Sequence, residues 1–189
     1  MEPHHERGGR SGPLRPFRDD PHLDGFSLGC DARWHGGRLT LSYTLRGPLQ
    51  DLVLPEPLAP PQRRDGLWES TCFEAFLASP GESAYWELNL AANGDWNVYR
   101  LSGYRQDLQP EIRVGSLPAR ISGGPGDGGA GTLSVGVELA LGALIEAERG
   151  LELSATAVLE HRHRGCSHWA WHHAGEEADF HRRDSFMPL

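Results

Sequence analysis

Apolar and polar residues alternate one by one along much of this chain, and this pattern restricts the possible fold more than any other feature. In the segment RLTLSYTLR (38–46), every second residue from Leu39 onward is apolar. Successive side chains of a β-strand point to opposite faces, so this spacing predicts a half-buried strand. The segments TLSVGVELA (132–140) and LELSATAVLEH (151–161) alternate in the same way and predict two more strands.

Turn signals connect several predicted strands into hairpins. The tripeptide HGG at 35–37 follows FSLGCDARW, and glycine adopts the backbone angles of a tight turn without strain. Residues 26–46 are therefore predicted to form a hairpin. A second turn signal, ANG at 92–94, separates two further strand candidates. These two candidates are residues 85–91 and 95–101, and residues 70–78 are a third candidate that precedes them.

The organisation of the whole chain follows from the same reading. Only residues 140–148 have helical spacing, which predicts one short connector between strands. The glycine-rich segment 122–131 has almost no side chains to bury and is interpreted as a long, flexible hairpin loop within one domain. Residues 1–20 are predicted to be a disordered N-terminal arm, followed by a single domain over 21–189. Many short strands with almost no helix predict an all-β fold, an antiparallel β-sandwich of jelly-roll or immunoglobulin-like type with at most one or two short helices.

Charge and composition exclude several classes of function. The 189 residues carry a formal net charge of −8, which disfavours nucleic acid and anionic membranes as partners. All 18 basic residues are arginine, so no lysine is present to form a Schiff base or to bind phosphate in a P-loop. The first residues lack the apolar stretch of a secretory signal, and Cys30, Cys72 and Cys166 are far apart in sequence. A cytoplasmic protein without disulfides is therefore expected.

The segment HRHRGCSHWAWHH (161–173) contains five histidines and is the obvious candidate for a metal or heme site. On a strand, His161 and His163 would point to the same face about 6–7 Å apart, a workable distance for two metal ligands. A jelly-roll metalloenzyme would need a glutamate a few residues later, but Ser167 and His168 stand there. Because this carboxylate is missing, and no H-E-x-x-H occurs, the pattern does not favour a metal site.

Two other interpretations of this histidine segment remain open. In the first, a strand ends near residue 163, the chain turns at Gly165, and a second strand carries Trp169 and Trp171. The histidines would then form hydrogen bonds with the backbone or lie at the surface. In the second, one or two of them line a ligand pocket, with His161 as the candidate.

Polar side chains are concentrated on the predicted central strands. Glu87 and Asn89 alternate with three apolar residues, so if the apolar residues face the core, the carboxylate and amide share the opposite face. Glu74 lies among apolar neighbours on the preceding strand, and a buried carboxylate is costly unless something pairs with it. The candidates for that pairing are Arg105 and a hydroxyl group of a ligand.

This combination of side chains suits a sugar. Planar Asn, Glu and Arg groups can bridge adjacent hydroxyls with paired hydrogen bonds. Indole rings stack on the apolar face of a pyranose, and Trp68 and Trp169 are the tryptophans expected to be accessible. The glutamates Glu69, Glu74 and Glu87 could in principle serve as the acid and base of a glycosidase, but their spacing in sequence does not fix their separation in space. No G-x-S-x-G motif or phosphate-binding glycine loop is present, so no enzyme activity is expected.

The centre and the tail of the chain carry two longer motifs. The central motif is LWESTCFEAFL followed by YWELNLAANGDWNVYRLSGYR. The tail is CSHWAWHHAGEEADFHRRDSF, in which a W-A-x-x-H stretch precedes D-F-H and D-S-F. Together these motifs resemble the bacterial DOMON-like proteins related to family 9 carbohydrate-binding modules. The resemblance extends over about residues 20–189.

This resemblance implies a β-sandwich with a ligand pocket on one sheet and no enzymatic activity. In the carbohydrate-binding relatives, aromatic residues clasp a sugar while Glu, Asn and Arg side chains bind its hydroxyls. The positions here that would take those parts are Trp68, Glu74, Asn89, Arg105 and Trp169. Other DOMON relatives bind heme through a methionine plus a histidine or lysine. This chain has only Met1 and Met187, and no lysine.

The sequence therefore predicts a non-catalytic module that binds a carbohydrate, a glycoconjugate or another small polyol-like ligand and needs no cofactor. The alternative is a heme- or metal-binding redox protein that uses the histidines of 161–173. A third possibility is a purely structural or protein-binding module. The predicted ligand-binding residues are Trp68, Glu74, Glu87, Asn89, Arg105, His161 and Trp169.

Overall fold

The computed structural model describes residues 7–57, 60–146 and 149–189, and these residues form an almost entirely β structure. Within them no helix reaches seven residues, and none has the length and apolar character required to cross a membrane. The strands are β1 (Arg7–Pro16), β2 (Ser27–His35), β3 (Arg38–Gly47), β4 (Cys72–Ala78), β5 (Tyr85–Ala91), β6 (Trp96–Leu101), β7 (Gln109–Pro110), β8 (Ala119–Gly124), β9 (Gly131–Ala140), β10 (Glu152–His161), β11 (Gly165–Ala170) and β12 (Met187–Pro188). Short 3₁₀ turns lie at Pro21–Leu23, Leu49–Asp51, Leu67–Glu69 and Arg183–Ser185.

The strands form one continuous hydrogen-bonded path, and every pairing between them is antiparallel. The order is β7-β6-β5-β4-β10-β11-β1-β2-β3-β9-β8, and β12 pairs with β10. Strand β1 joins the two halves, because it pairs with β2 along most of its length and with β11 through Arg15 and Pro16. The antiparallel, all-β class is confirmed, whereas the two separate sheets of the predicted sandwich are not.

The sheet curls so that its two halves enclose the main hydrophobic core. Tyr43 of β3 packs against Phe73 of β4 with ring centroids 5.4 Å apart, and its hydroxyl donates a hydrogen bond to the backbone oxygen of Glu74. The apolar residues that alternate along β3, such as Leu41, are fully buried. Since burying one large apolar side chain contributes about 1.5–3 kcal/mol, the alternation seen in the sequence supplies much of the stability of the fold.

The N-terminal segment corrects one prediction. Residues 7–16 belong to the arm that was expected to be disordered, but they form β1 and join the two halves of the sheet. The segment RGGRSGPLRP has little apolar surface, and Leu14 is its one large apolar side chain. Its place is fixed by backbone hydrogen bonds to β2 and by burial of Leu14, neither of which shows as alternation. Residues 1–6 of the predicted arm lie outside the described residues.

The predicted hairpins are present, and glycines form their turns. Strands β2 and β3 pair around Gly36 and Gly37, which have φ values of +58° and +73°. Strands β5 and β6 turn at Gly94, where φ is +93°, and β8 pairs with β9 across the glycine-rich loop. The predicted helix over 140–148 is not seen in its described part. There Ala140 ends β9, and the chain then makes a single turn.

The two faces of β5 have different surroundings, as the sequence predicts. Trp86, Leu88 and Leu90 face the main core, so Glu87 and Asn89 lie on the outer face of the sheet. A second, smaller cluster of buried apolar residues covers part of that outer face. Its members are Phe76, Ala78, Tyr85, Tyr99, Leu101, Val158, Ala170, Phe180 and Phe186. Because the last two come from the C-terminal segment, that segment forms a cover over the outer face of β4, β5 and β10.

Candidate ligand-binding site

A cavity of about 360 Å³ lies between the outer face of the sheet and the C-terminal segment. It is within the usual range for small-ligand sites, and its walls combine apolar and polar side chains. Strands β4, β5, β6, β10 and β11 contribute to its floor and walls, and residues 178–181 contribute to its cover. The lining residues are Trp68, Glu74, Phe76, Glu87, Leu101, Arg105, Leu108, Val158, His168, Ala178, Phe180 and His181.

Five of the predicted site residues come together here. Trp68, Glu74, Glu87 and Arg105 line the cavity. Asn89 is fully buried beside them, since it pairs with Glu74 across β4 and β5 and its Nδ2 donates to Glu87 Oε1 at 2.9 Å. The alternation of the two strands is the reason for this grouping, because it puts the polar residues of both strands on one face.

The other two predicted residues do not reach the cavity, so their inclusion in the site was wrong. His161 shares the core-side face of β10 with Leu159, and its Nε2 lies 2.9 Å from Ser167 Oγ. Its ring packs edge-on against His22 at 5.0 Å between centroids. Trp169 is buried in the main core, and its indole nitrogen donates to the same Ser167 oxygen at 2.8 Å. The expectation that Trp169 would be accessible is corrected.

Two carboxyl groups in the cavity are almost completely buried. Glu74 is 2% exposed and Glu87 is 4% exposed. Burial raises the pKa of Glu74 well above its usual value, and the negative charge of Glu87 raises it further. Burial also raises the pKa of Glu87, although the hydrogen bond from Asn89 opposes this shift. Both groups therefore favour their protonated forms more than an exposed glutamate does.

The hydrogen bonds of this pair are incomplete. Glu74 Oε2 lies 3.4 Å from Thr156 Oγ1, and Glu74 Oε1 has no partner among the described residues. The buried Oδ1 of Asn89 likewise has no donor within the described part of the chain. Glu87 Oε2 lies 3.9 Å from His181 Nε2, which is too long for a hydrogen bond. The lining residues Glu74 and Glu87 thus each have a carboxyl oxygen without a full hydrogen bond among the described residues, and Asn89, which does not line the cavity, has another buried beside them.

Arg105 does not pair with Glu74, although the sequence made it a candidate for that role. Its guanidinium donates to Asp179 Oδ1 at 2.9 Å, and its backbone N–H donates to the Tyr85 hydroxyl at 3.2 Å. The residue has a left-handed backbone conformation with φ of +52°. These contacts connect the loop after β6 to the C-terminal segment, so Arg105 lies at the rim of the cavity and holds the cover in place.

Trp68 presents a partly exposed indole at the cavity wall. The residue lies in the 3₁₀ turn Leu67–Glu69 and is 37% exposed. Its ring packs edge-on against Tyr99, with centroids 5.7 Å apart. The Tyr99 hydroxyl donates to Asp65 Oδ1 at 2.8 Å, and Asn97 Nδ2 donates to the same oxygen at 3.0 Å. The indole is therefore held in position by its contact with Tyr99, although one side of it is exposed.

The reasoning from sequence missed the residues of the C-terminal cover. Phe180 and His181 line the cavity, and His181 Nδ1 lies 2.7 Å from the Tyr85 hydroxyl. Burial lowers the pKa of His181 to about 4, and the positive charge of Arg105 contributes to this shift. Both residues belong to an irregular segment without alternation, so only the D-F-H part of the tail motif pointed to them. His168, on the outer face of β11, was also not selected.

The histidines of 161–173 do not converge on a common point. His161 and His168 lie on opposite faces of the sheet, and His173 Nε2 lies 2.9 Å from the backbone oxygen of Arg15. No group of three or more His, Cys, Asp or Glu residues in the described part of the chain is arranged to hold a metal ion. The alternative of a shared metal or heme ligand set in this segment has no support from the geometry. The predicted hairpin is present, but its first strand ends at His161 rather than near residue 163, and Gly165, the predicted turn residue, begins β11.

Comparison with known proteins identifies relatives in structure only. Protein-family models and curated protein sequences were searched, and neither gives a match. A candidate carbohydrate-binding protein from Bacteroides uniformis superimposes with a TM-score of 0.72 at 14% identity, covering 95% of this chain and 85% of that one. A family 9 carbohydrate-binding module from Caldicellulosiruptor kristjanssonii, solved with cellotriose, gives a TM-score of 0.44 at 10% identity over 85% of this chain and 71% of that one. The first comparison shows that this chain has the fold of the Bacteroides protein.

Proposed function

We propose that this protein binds a carbohydrate or glycoconjugate, without transforming it, in the cavity beneath the C-terminal cover. One observation carries the proposal: the cavity is lined both by Glu74, whose buried Oε1 has no partner among the described residues, and by the partly exposed indole of Trp68. A sugar has hydroxyl donors around its rim and an apolar face on each side of its ring. This cavity offers a complementary surface for both.

The unpartnered acceptors indicate that a ligand of this site would carry hydrogen-bond donors. Glu74 Oε1 and Asn89 Oδ1 are buried away from solvent. A buried polar atom without a hydrogen bond destabilises a protein by about 1–3 kcal/mol. Of the two residues, Glu74 lines the cavity. A hydroxyl group of a ligand would donate to its Oε1 and remove that penalty, so the free energy of binding would include it.

Trp68 supplies the second element of recognition. A half-exposed indole gives a large contact area and loses little conformational entropy on binding. Because its ring is held against Tyr99, it would stack on a sugar ring without rearranging. The Bacteroides protein that shares this fold is described as a candidate carbohydrate-binding protein, which supports the same class of ligand.

The test is a calorimetric titration with glucose, galactose, xylose and their β-1,4-linked disaccharides. Isolated sugar-binding modules often bind near millimolar affinity, about −4 kcal/mol, so each sugar should be titrated to about 100 mM. We expect at least one sugar to bind and Trp68→Ala to weaken that binding at least tenfold. Ile112→Ala is the control, because Ile112 is 86% exposed and does not line the cavity. If no sugar binds, or if binding survives Trp68→Ala unchanged, the proposal is wrong.

A further inference from the structure

The cavity contains two buried carboxyl groups, which is more acidic groups than recognition of a neutral sugar needs. Glu74 and Glu87 are both buried at its floor. Arg105 is the one arginine among the described lining residues, and it is bound to Asp179 at the rim. Burial lowers the pKa of His168 and His181, so neither ring supplies a positive charge at neutral pH. The positive charge of Arg105 favours the ionised form of Glu87 from a distance, but no charged side chain among the described lining residues bonds to either carboxyl group.

The number of free acceptors also distinguishes between ligands. Glu74 and Asn89 are directly opposite each other on β4 and β5, and Glu87 is the diagonal neighbour of Glu74 on the same face. Directly opposite residues of an antiparallel pair have Cβ atoms about 4.5–5.5 Å apart, and diagonal neighbours about 7–8 Å apart. A hydroxyl group has one hydrogen to donate, whereas an ammonium group has three. An ammonium group can therefore donate to the incompletely bonded oxygens of Glu74 and Glu87 at the same time, and Asn89 Oδ1 is buried beside these two lining residues.

We propose that the ligand of this cavity carries a protonated amine, which is held by Glu74 and Glu87, and that the ligand class is an amino sugar with a free ammonium group. This inference rests on the proposed function, because the sugar ring is taken to stack on Trp68. The amine would convert a pair of buried carboxyl groups without a counter-charge into a charge-paired and hydrogen-bonded site. Such a pairing removes the main cost of burying the two groups.

The apolar lining fits the same ligand class. Phe76 is the cross-strand partner of Glu87, and its ring centroid lies 6.2 Å from that of Phe180 in the cover. Aromatic rings attract a nearby cation through their electron-rich faces, by about 0.5–2 kcal/mol, depending on how completely the cation is desolvated. The net charge of −8 on the chain also favours the approach of a cationic ligand over an anionic one.

A set of three β-1,4-linked disaccharides tests the inference, because they differ only at the second carbon of each ring. Cellobiose carries a hydroxyl there, deacetylated chitobiose an ammonium group, and N,N′-diacetylchitobiose a neutral amide. Calorimetric titration at pH 6 and low salt should show deacetylated chitobiose binding at least tenfold more tightly than the other two. In Glu74→Gln and Glu87→Gln, that preference should fall below threefold. Glu138→Gln changes an exposed side chain of β9 that does not line the cavity, and it should leave the preference unchanged.

The outcomes separate this inference from the proposed function. If all three disaccharides bind with similar affinity, the cavity binds sugars but the ammonium site is refuted. If the preference persists in both glutamine variants, the carboxyl groups are not its source and the inference is also refuted. If none of the three binds, the proposed function and the inference fail together. Circular dichroism of each variant would confirm that the fold is retained before these results are compared.

Discussion

The buried carboxyl group of Glu74 should make the protein less stable as the pH rises, and Glu74→Gln should remove that dependence. Burial and the charge of Glu87 raise the pKa of Glu74 in the folded state, whereas a glutamate side chain in the unfolded state has a pKa near 4.3. Above about pH 4.3 the unfolded state releases the proton while the folded state retains it. The free energy of unfolding should therefore fall by up to about 1.4 kcal/mol for each pH unit, until the pH reaches the raised pKa.

Glutamine has nearly the same shape as protonated glutamic acid but does not titrate. We expect Glu74→Gln to have nearly wild-type stability at pH 4 and to be progressively more stable than wild type at pH 5, 6 and 7. The measurement is urea unfolding at each pH, with Glu138→Gln as the exposed control. Effects of titrating groups that do not interact with Glu74 are common to the variants and cancel in the difference, whereas the interaction with Glu87 is part of the effect that is measured. If the difference in unfolding free energy does not change with pH, or if it favours the wild type at pH 7, the burial argument is refuted.

Three further predictions concern stability. Tyr43→Phe removes the hydroxyl that donates a hydrogen bond to the backbone oxygen of Glu74 across the core, and it should lower the free energy of unfolding, measured in urea, by about 1–2 kcal/mol. An unchanged free energy of unfolding would show that this hydrogen bond does not stabilise the fold. The unfolded state takes up a proton on His181 near pH 6.5 and the folded state only at about pH 4, so the contribution of His181 to stability should fall as the pH drops through this range, opposite in sign to the contribution of Glu74. His181→Phe should lack this contribution, and the same pH dependence in the variant and the wild type would contradict the prediction. Gly123→Ala should lower the melting temperature of the protein more than Gly36→Ala does. Both glycines have positive φ, but of these two positions only Gly123 would place the new Cβ 2.0 Å from a backbone oxygen. Equal melting temperatures of the two variants would contradict this prediction.

The alternation of apolar and polar residues made most strands predictable. A period of two assigns every side chain of β3 or β5 to one of two faces, so the sequence also grouped Glu74, Glu87 and Asn89 on the outer face. The glycines at hairpin turns were equally readable, because only a few residues adopt positive φ without strain. These are local properties, and one short segment of chain is enough to express each of them.

Other elements depend on contacts between distant parts of the chain. Strand β1 contains mostly Gly, Pro and Arg, and only the ladders on β2 and β11 make it a strand. The sequence offered Arg105 as a candidate partner of Glu74, but the loop after β6 brings it to Asp179 instead. Trp169 was selected as a binding residue because an indole ring can stack on a sugar. It faces the core instead, because β11 pairs with β10 in a register that aligns Trp169 with Ala157.

The sequence by itself determined most of the central strands, the all-β class and the polar face of β5, because each follows from spacing along a few residues. Only the tertiary structure decided that this polar face would become a cavity. A pocket needs a second wall, and here Phe180 and His181 supply it from a segment about 90 residues beyond β5. No periodicity in that segment records where it packs, because its position is fixed by contacts with rings and carboxylates that are brought together only when the chain folds.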